Sequence, residues 1–347
     1  MKDNQLIYIA FGDETYQTEA FFSIASAIAR NLDTPEFAFD INVYTDNPEF
    51  YKNLPVQVHP INKDWYGEIN YHFRLKPAVV YENADKYKKT ILIDTDTFFK
   101  KSPKYLFDKI TEKNLLCNSK HPGIENSLDT KVKEVISREN LLKENFIYLN
   151  SGVIGIYKDS KHILEKTIKI IDKLYPELSF YYTLEELSLA LSVSLENIET
   201  VDCIEDIHHY WSRKAIFRKK AETWYIKHKD TPISNHALSD TLKVTDKIPK
   251  PPVFARLINK TLALSVQKKY RHFLIELFNA THNYDNEFDK AASTVWIVKS
   301  VENLKERSPN TSEEEINKLL NRWYIKLKTK NQKLYIINIL AEFSSKQ

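Results

Sequence analysis

Thr90-Ile91-Leu92-Ile93-Asp94-Thr95-Asp96-Thr97-Phe98-Phe99 opens as a short apolar strand and turns, at Asp94, into two carboxylates one residue apart. In a strand, residues i and i+2 project to the same side, so the Asp94 and Asp96 side chains share a face. Two carboxylates that close repel unless a cation or a donor offsets them. Mn2+ or Mg2+ takes such hard oxygen ligands and can bridge them to phosphate oxygens. It also stabilises the charge that a departing diphosphate acquires. The expectation is that Asp96 ligates the cation directly while Asp94 orients a nucleotide, its ribose or a metal-bound water. An Asp-x-Asp of exposed turn residues is common, so the surroundings decide between the two.

Working outward, Leu6–Phe11 is a compact strand, and Ala20–Ala29 places large apolar residues at helical spacing. Ile41–Tyr44 alternates and is closed by Asp46-Asn47-Pro48, and Val56-Gln57-Val58 is a further short strand. A helix runs from about Leu75 to Tyr87, with Pro77 tolerable only near its first turn. This order of strands and helices predicts an α/β sheet with covered faces, in which ligands collect beyond the carboxyl ends of the strands. Asp94 and Asp96 fall at such an end.

Downstream, a helix near Pro103–Asp108 and a strand at Leu115–Cys117 lead into a polar excursion, Lys120–Asn145, with a helix of its own. Phe146–Leu149 and Val153–Tyr157 read as strands around Asn150-Ser151-Gly152, and helices cover Lys161–Leu174 and Leu184–Val193. Beyond residue 250 the pattern becomes helical, punctuated by Pro249, Pro251 and Pro252. Ser312 and Glu315 fit a capping box, with Ile316, Leu319, Leu320 and Trp323 as one apolar stripe. The expected organisation is a catalytic domain over 1–250 and a mostly helical extension over 251–347.

Composition narrows the classes. With 347 residues, 42% apolar, the chain can bury a full core, and only five glycines argue against a disordered or collagen-like polymer. No apolar run approaches a membrane span, and no basic-then-apolar leader follows Met1, so a cytoplasmic location is the expectation. Cys117 and Cys203 read as small buried apolar residues. A net charge of +3 gives no reason to expect nucleic acid. The stretch 213–229 is locally basic, with Arg213, Lys214, Arg218, Lys219, Lys220, Lys227 and Lys229 against the single carboxylate Glu222. It suits phosphates, an acidic acceptor or peripheral contact with the inner membrane face, or else a solvated surface. No glycine-rich phosphate loop and no repeated basic-aromatic pattern is present.

The segment Ile91–Phe99 resembles the DxD segment of GT-A nucleotide-diphospho-sugar glycosyltransferases, especially family 8-like and related bacterial enzymes. The resemblance extends to Tyr8–Phe11, to Phe73-Arg74-Leu75-Lys76-Pro77 and to Tyr148–Val153, in the same order along the first 215 residues. It implies a Rossmann-like mixed central sheet flanked by helices. It also implies that Ala10, Phe11, Gly12 and Asp13 touch base or ribose, and that Arg74 and Lys76 lie near nucleotide or phosphate. Thr95 would then lie with Asp94 at the donor, and Asn150, Ser151 and Gly152 would border the sugar. Glu185 and Glu186 stand where related enzymes carry an Asp-Gln or similar acidic pair facing the sugar; first-turn glutamates also suit a helix's positive end. The family supplies a later histidine as third metal ligand and then a lysine at the diphosphate. His209 or His208 with Lys214 fits that pattern without the usual intervening glycine, and His236 is a rival. Adjacent histidines on an extended segment point oppositely, so one of His208 and His209 reaches a metal while the other packs or faces solvent.

The function these readings imply is Mn2+- or Mg2+-dependent transfer, with retention, from a UDP-sugar to a hydroxyl of a glycan, lipid-linked or other acceptor. Two alternatives stand beside it. Asp94 and Asp96 also match the nucleophile loop of haloacid-dehalogenase-type phosphatases, although that loop normally opens its domain and here follows a long α/β stretch. The fold could instead be retained as a catalytically inactive interaction module.

Overall fold

Strand β1 (Asn4–Ala10) shows how alternation builds the sheet. Ile7 joins a buried cluster with Leu92, Ile154 and Val79, while its neighbour Tyr8 turns to the other face, where its hydroxyl lies 3.1 Å from Ser23 Oγ. The computed structural model describes residues 2–123, 128–144, 146–212, 214–329 and 332–345. Its further strands are β2 (Asp40–Thr45), β3 (Gln57–His59), β4 (Lys89–Ile93), β5 (Thr97–Phe99), β6 (Asn114–His121), β7 (Tyr148–Tyr157), β8 (Glu199–Asp202) and β9 (Ile207–His209).

A seven-stranded sheet has the order β3-β2-β1-β4-β7-β6-β8. β1 pairs parallel with β2 and β4, β2 with β3 and β6 with β8, whereas β7 is antiparallel to both β4 and β6. The expected mixed α/β sheet is therefore present. Because β7 is reversed, its amino-terminal half lies beside the carboxyl end of β4, with Ile93 opposite Val153. A small second sheet pairs β5 antiparallel with β9, Thr97 opposite His209.

Helices cover both faces. α1 (Glu14–Asn31) packs on β1 and β5, and Asp13 caps it by accepting from Thr15 N–H at 2.7 Å. α2 (Leu75–Asn83), α3 (Lys104–Asp108), α4 (Thr130–Arg138), α5 (His162–Leu178) and α6 (Leu184–Glu196) follow. α2, α5 and α6 pack together, and α6 lies on β7. α6 stops at Asn197, whose φ of 52° is a left-handed cap. Next come α7 (Lys214–His228) and α8 (Asn235–Thr241).

Packing divides the chain into one unit of residues 1–211 with 227–242 and a second of 212–226 with 243–347. The second unit holds α9 (Val253–Leu264), α10 (Lys268–Ala280), α11 (Glu287–Ala291), α12 (Ser293–Arg307), α13 (Glu313–Leu320), α14 (Trp323–Thr329) and α15 (Lys333–Ser345). Its core gathers Phe273, Leu277, Val301, Leu304, Leu320 and Ile336. Among the described residues no helix is long and apolar enough to cross a membrane.

Two local expectations change. Asn150-Ser151-Gly152 is not a break between two strands. It is the interior of β7, because Tyr148, Leu149 and Asn150 remain paired to His121, Lys120 and Ser119 of β6. The Ser312–Glu315 capping box forms, but α13 ends at Leu320, so Trp323 leaves the apolar stripe and is 78% exposed. Asn145, the end of the polar excursion, lies outside the described residues.

Candidate active site

β4 delivers a buried apolar strand to the sheet edge and releases it at Asp94, whose N–H is held by Gly152 O at 2.9 Å. Asp94-Thr95-Asp96 then bends between β4 and β5, with Thr95 half-buried. Pairing of β5 with β9 carries His209 to the same place, and Tyr210 N–H donates to Asp96 O at 3.1 Å. Ligand atoms of Asp94, Asp96 and His209 all lie within 4.8 Å of one another. His209 Nε2 is 3.2 Å from Asp96 Oδ1 and 4.0 Å from Asp94 Oδ2.

The orientation of His209 follows from β7. Gly152 N–H donates to Asn150 Oδ1 at 3.1 Å, which fixes the amide, and that same oxygen lies 3.0 Å from His209 Nδ1. An amide oxygen only accepts, so the ring proton sits on Nδ1 and the Nε2 lone pair faces the two carboxylates. A lone pair and a carboxylate oxygen at that separation need a proton or a cation between them. Imidazole with two carboxylates is a donor set that suits Mn2+ or Mg2+, and the hydrogen bond that the imidazole donates to Asn150 is the outer support such ligands use. The residues present therefore fit a divalent cation. Gly152 matters sterically as well: a Cβ there would lie 2.3 Å from His209 Nδ1.

Lys76, in the first turn of α2, donates to Asp94 Oδ2 at 2.7 Å and to Ser151 Oγ at 3.3 Å, and lies 3.4 Å from Glu185 Oε1. Burial works against its charge, but Asp94 and Glu185 outweigh burial and hold the ammonium above its ordinary range. Glu185 accepts from Ser151 Oγ at 2.6 Å. Glu186 accepts from Asn150 Nδ2 at 2.8 Å and from Ser151 N–H at 3.1 Å. Burial, reinforced by Glu185, pushes the Glu186 carboxyl up to about 7. The pair thus stands behind β7, tying α6 to the strand that positions His209.

The loop after β1 also reaches this edge. Gly12, at φ +80°, donates to Asp46 Oδ2 at 2.9 Å, Asp13 caps α1, and Phe11 packs at a tilt against His72 at 4.9 Å between ring centroids. Ala10 O accepts from Gln17 Nε2, which also donates to Asp46 Oδ1. Asp46 was legible only as a turn residue. Its position just past a parallel strand was the signal that it would hold this loop.

Other sequence-predicted residues have different partners or positions. Arg74 Nε and Nη2 grip Asp172 at 2.7 and 2.9 Å, and Nη1 donates to Trp65 O, so its guanidinium ties a loop to α5. His208 turns to the opposite side from His209 and packs on Phe98 at 5.0 Å. His236 is not with Asp94 and Asp96; it joins His228 and Asp240. In that second group Lys227 Nζ and His228 Nε2 both lie 2.8 Å from Asp240 Oδ2, so the buried carboxylate already has its counter-charge. Lys214 opens α7 in the second unit. The basic stretch is not one free patch: Lys220 is fully buried against Asp289, Lys219 pairs with Glu222, and Lys227 pairs with Asp240. Arg213 lies outside the described residues. Cys117 and Cys203 are buried and free, as expected.

No family model matches the chain, and no curated protein matches it. Among solved structures it is similar to a bifunctional glycosyltransferase, WbbM, at 14% identity and TM-score 0.40, over 55% of this chain and 38% of that one. It is similar to the galactosyltransferase LgtC in complex with donor and acceptor sugar analogues, at 13% identity and TM-score 0.43, over 71% and 97% of the two chains. Mouse xyloside xylosyltransferase 1 is similar at 12% identity and TM-score 0.43, over 58% and 85%.

Proposed function

We propose that the chain is a metal-dependent glycosyltransferase that takes a UDP-sugar and transfers the sugar, with retention, to a hydroxyl of a glycan or lipid-linked acceptor. The observation that carries this reading is the convergence of Asp94, Asp96 and His209 at the carboxyl edge of the sheet, beside the ammonium of Lys76. A bound Mn2+ or Mg2+ supplies Lewis-acid stabilisation of the charge on the leaving diphosphate. Asp96 and His209 are the direct ligands in this reading, and Asp94 is shared between the cation and Lys76. Asn150 holds the imidazole proton on Nδ1. Glu185 and Glu186 act as positioning residues, accepting the donors of β7 and balancing Lys76. Phe11, Gly12 and Asp13 form the loop on which base and ribose would rest, kept in place by Asp46. Retention and the choice of UDP rest on the likeness of the quoted segments to family 8.

A screen of nucleotide sugars for Mn2+-dependent release of nucleotide tests the reading. Asp96→Ala is expected to lower release by about 100-fold or more. Undiminished metal-dependent turnover in that variant removes Asp96 from the mechanism. Phosphate release from a phosphomonoester, with no turnover of any nucleotide sugar, contradicts the transferase reading as a whole.

A further inference from the structure

Helix α9, Val253–Leu264, is built inside out. Its buried residues are Asn259 and Ala263, one turn apart, a polar amide and a small methyl. Leu262 packs half-buried against the core, but the other large apolar residues face solvent: Val253 is 73% exposed, Phe254 75%, Leu257 60%, Ile258 37% and Leu264 62%. These positions recur at helical spacing, so they form one continuous stripe rather than scattered exposures. A soluble helix that buries its polar side and presents Phe and Leu to water leaves a patch that ordinarily marks an interaction surface.

Charge identifies what the surface suits. From Lys247 to Ile275 the chain contains no aspartate or glutamate, while Lys247, Lys250, Arg256, Lys260 and Lys268 all fall within it. Of these, Lys247, Lys250, Lys260 and Lys268 are exposed. Against a second copy of itself, this acid-free stretch would set like charge on like charge. Against an anionic bilayer the same lysines complement the headgroups, their stems lying along the apolar stripe and their ammonium groups reaching water. At 12 residues the helix is too short to span a bilayer and suits an orientation in its plane.

We infer that α9 is an interfacial anchor that seats Val253, Phe254, Leu257 and Leu264 in the surface of an anionic lipid membrane. The inference does not depend on the proposed chemistry of the Asp94 site. It places membrane contact on α9 rather than on the basic stretch 213–229, where Lys219, Lys220 and Lys227 are engaged internally.

The test is flotation of the full chain with vesicles of phosphatidylcholine alone and of phosphatidylcholine with phosphatidylglycerol. The chain is expected to float with the anionic vesicles, and less so as salt is raised. The double substitution Phe254→Ser and Leu257→Ser is expected to weaken that partition by about tenfold or more, because two large side chains no longer leave water. Both residues are exposed, so the melting temperature should not move. Lys250→Glu with Lys260→Glu should weaken binding to anionic vesicles and leave neutral ones unchanged. Equal flotation of the native chain and the serine variant overturns the inference, as does failure of the native chain to float with anionic vesicles. A dimer in sedimentation velocity that the serine variant splits, with no vesicle binding, assigns the stripe to a second copy and equally overturns it.

Discussion

His209 Nε2 facing Asp96 Oδ1 at 3.2 Å is the contact from which the chemistry follows, and its cause lies in β7. Asn150 accepts from Gly152 N–H and from the imidazole, which sets the tautomer, and Glu186 in turn holds Asn150. Burial and the neighbouring Glu185 give Glu186 a titration signature. Its carboxyl is raised from 4.5 to about 7 in the folded chain, so between those values the folded state keeps a proton that the unfolded state has lost. Stability must therefore fall as pH rises through that window and level off above it. Glu186→Gln keeps an acceptor oxygen for Asn150 but removes the titration. In chelator, the variant should gain stability relative to the native chain between about pH 5 and about pH 8, on the order of 1 kcal/mol. Parallel melting curves across that range would show that Glu186 does not carry the shift.

At the level of elements, the site is assembled by one reversed strand and one small ribbon. β7 brings Asn150 and Gly152 alongside the end of β4, and the pairing of β9 with β5 lowers His209 onto Gly152. Gly152→Ala tests that assembly. The strand backbone tolerates alanine, but the added methyl would sit 2.3 Å from the ring and must displace it. The expected result is a loss of about 1–3 kcal/mol in thermal unfolding, together with a 10–100-fold weaker affinity for Mn2+. Unchanged affinity would mean that His209 is not needed as a ligand. Much of this level was legible beforehand. The apolar run ending at Asp94, the helical spacing of Ala20–Ala29 and the Ser312 capping box each carry a local signal, and the elements formed where it lies. Asn150-Ser151-Gly152 looked like a break because its residues are polar and small. It is a strand because β6 supplies partners from across the sheet, which no local window contains.

Across the whole molecule, charge is the feature that sequence distance disguised. The stretch 213–229 reads as a basic patch in one dimension, yet Lys220 is wholly buried on Asp289, sixty-nine positions away, and Lys227 is paired with Asp240. His236 looked available to Asp94 and Asp96 for the same reason, and belongs with His228 and Asp240. Lys76, Glu185 and Asp94 were legible separately, from three motifs, but the pairing of Lys76 with both carboxylates and the contacts of Lys76 and Glu185 with Ser151 were not. Two candidate cation clusters exist among the described residues, and the proposed function uses only that of Asp94, Asp96 and His209. Calorimetric titration of Mn2+ into the full chain, with and without UDP, decides this most directly. One site is expected, which tightens with UDP, is lost in Asp96→Asn and in His209→Ala, and persists in His236→Ala. Binding that survives both of the first two substitutions and disappears in the third would contradict it.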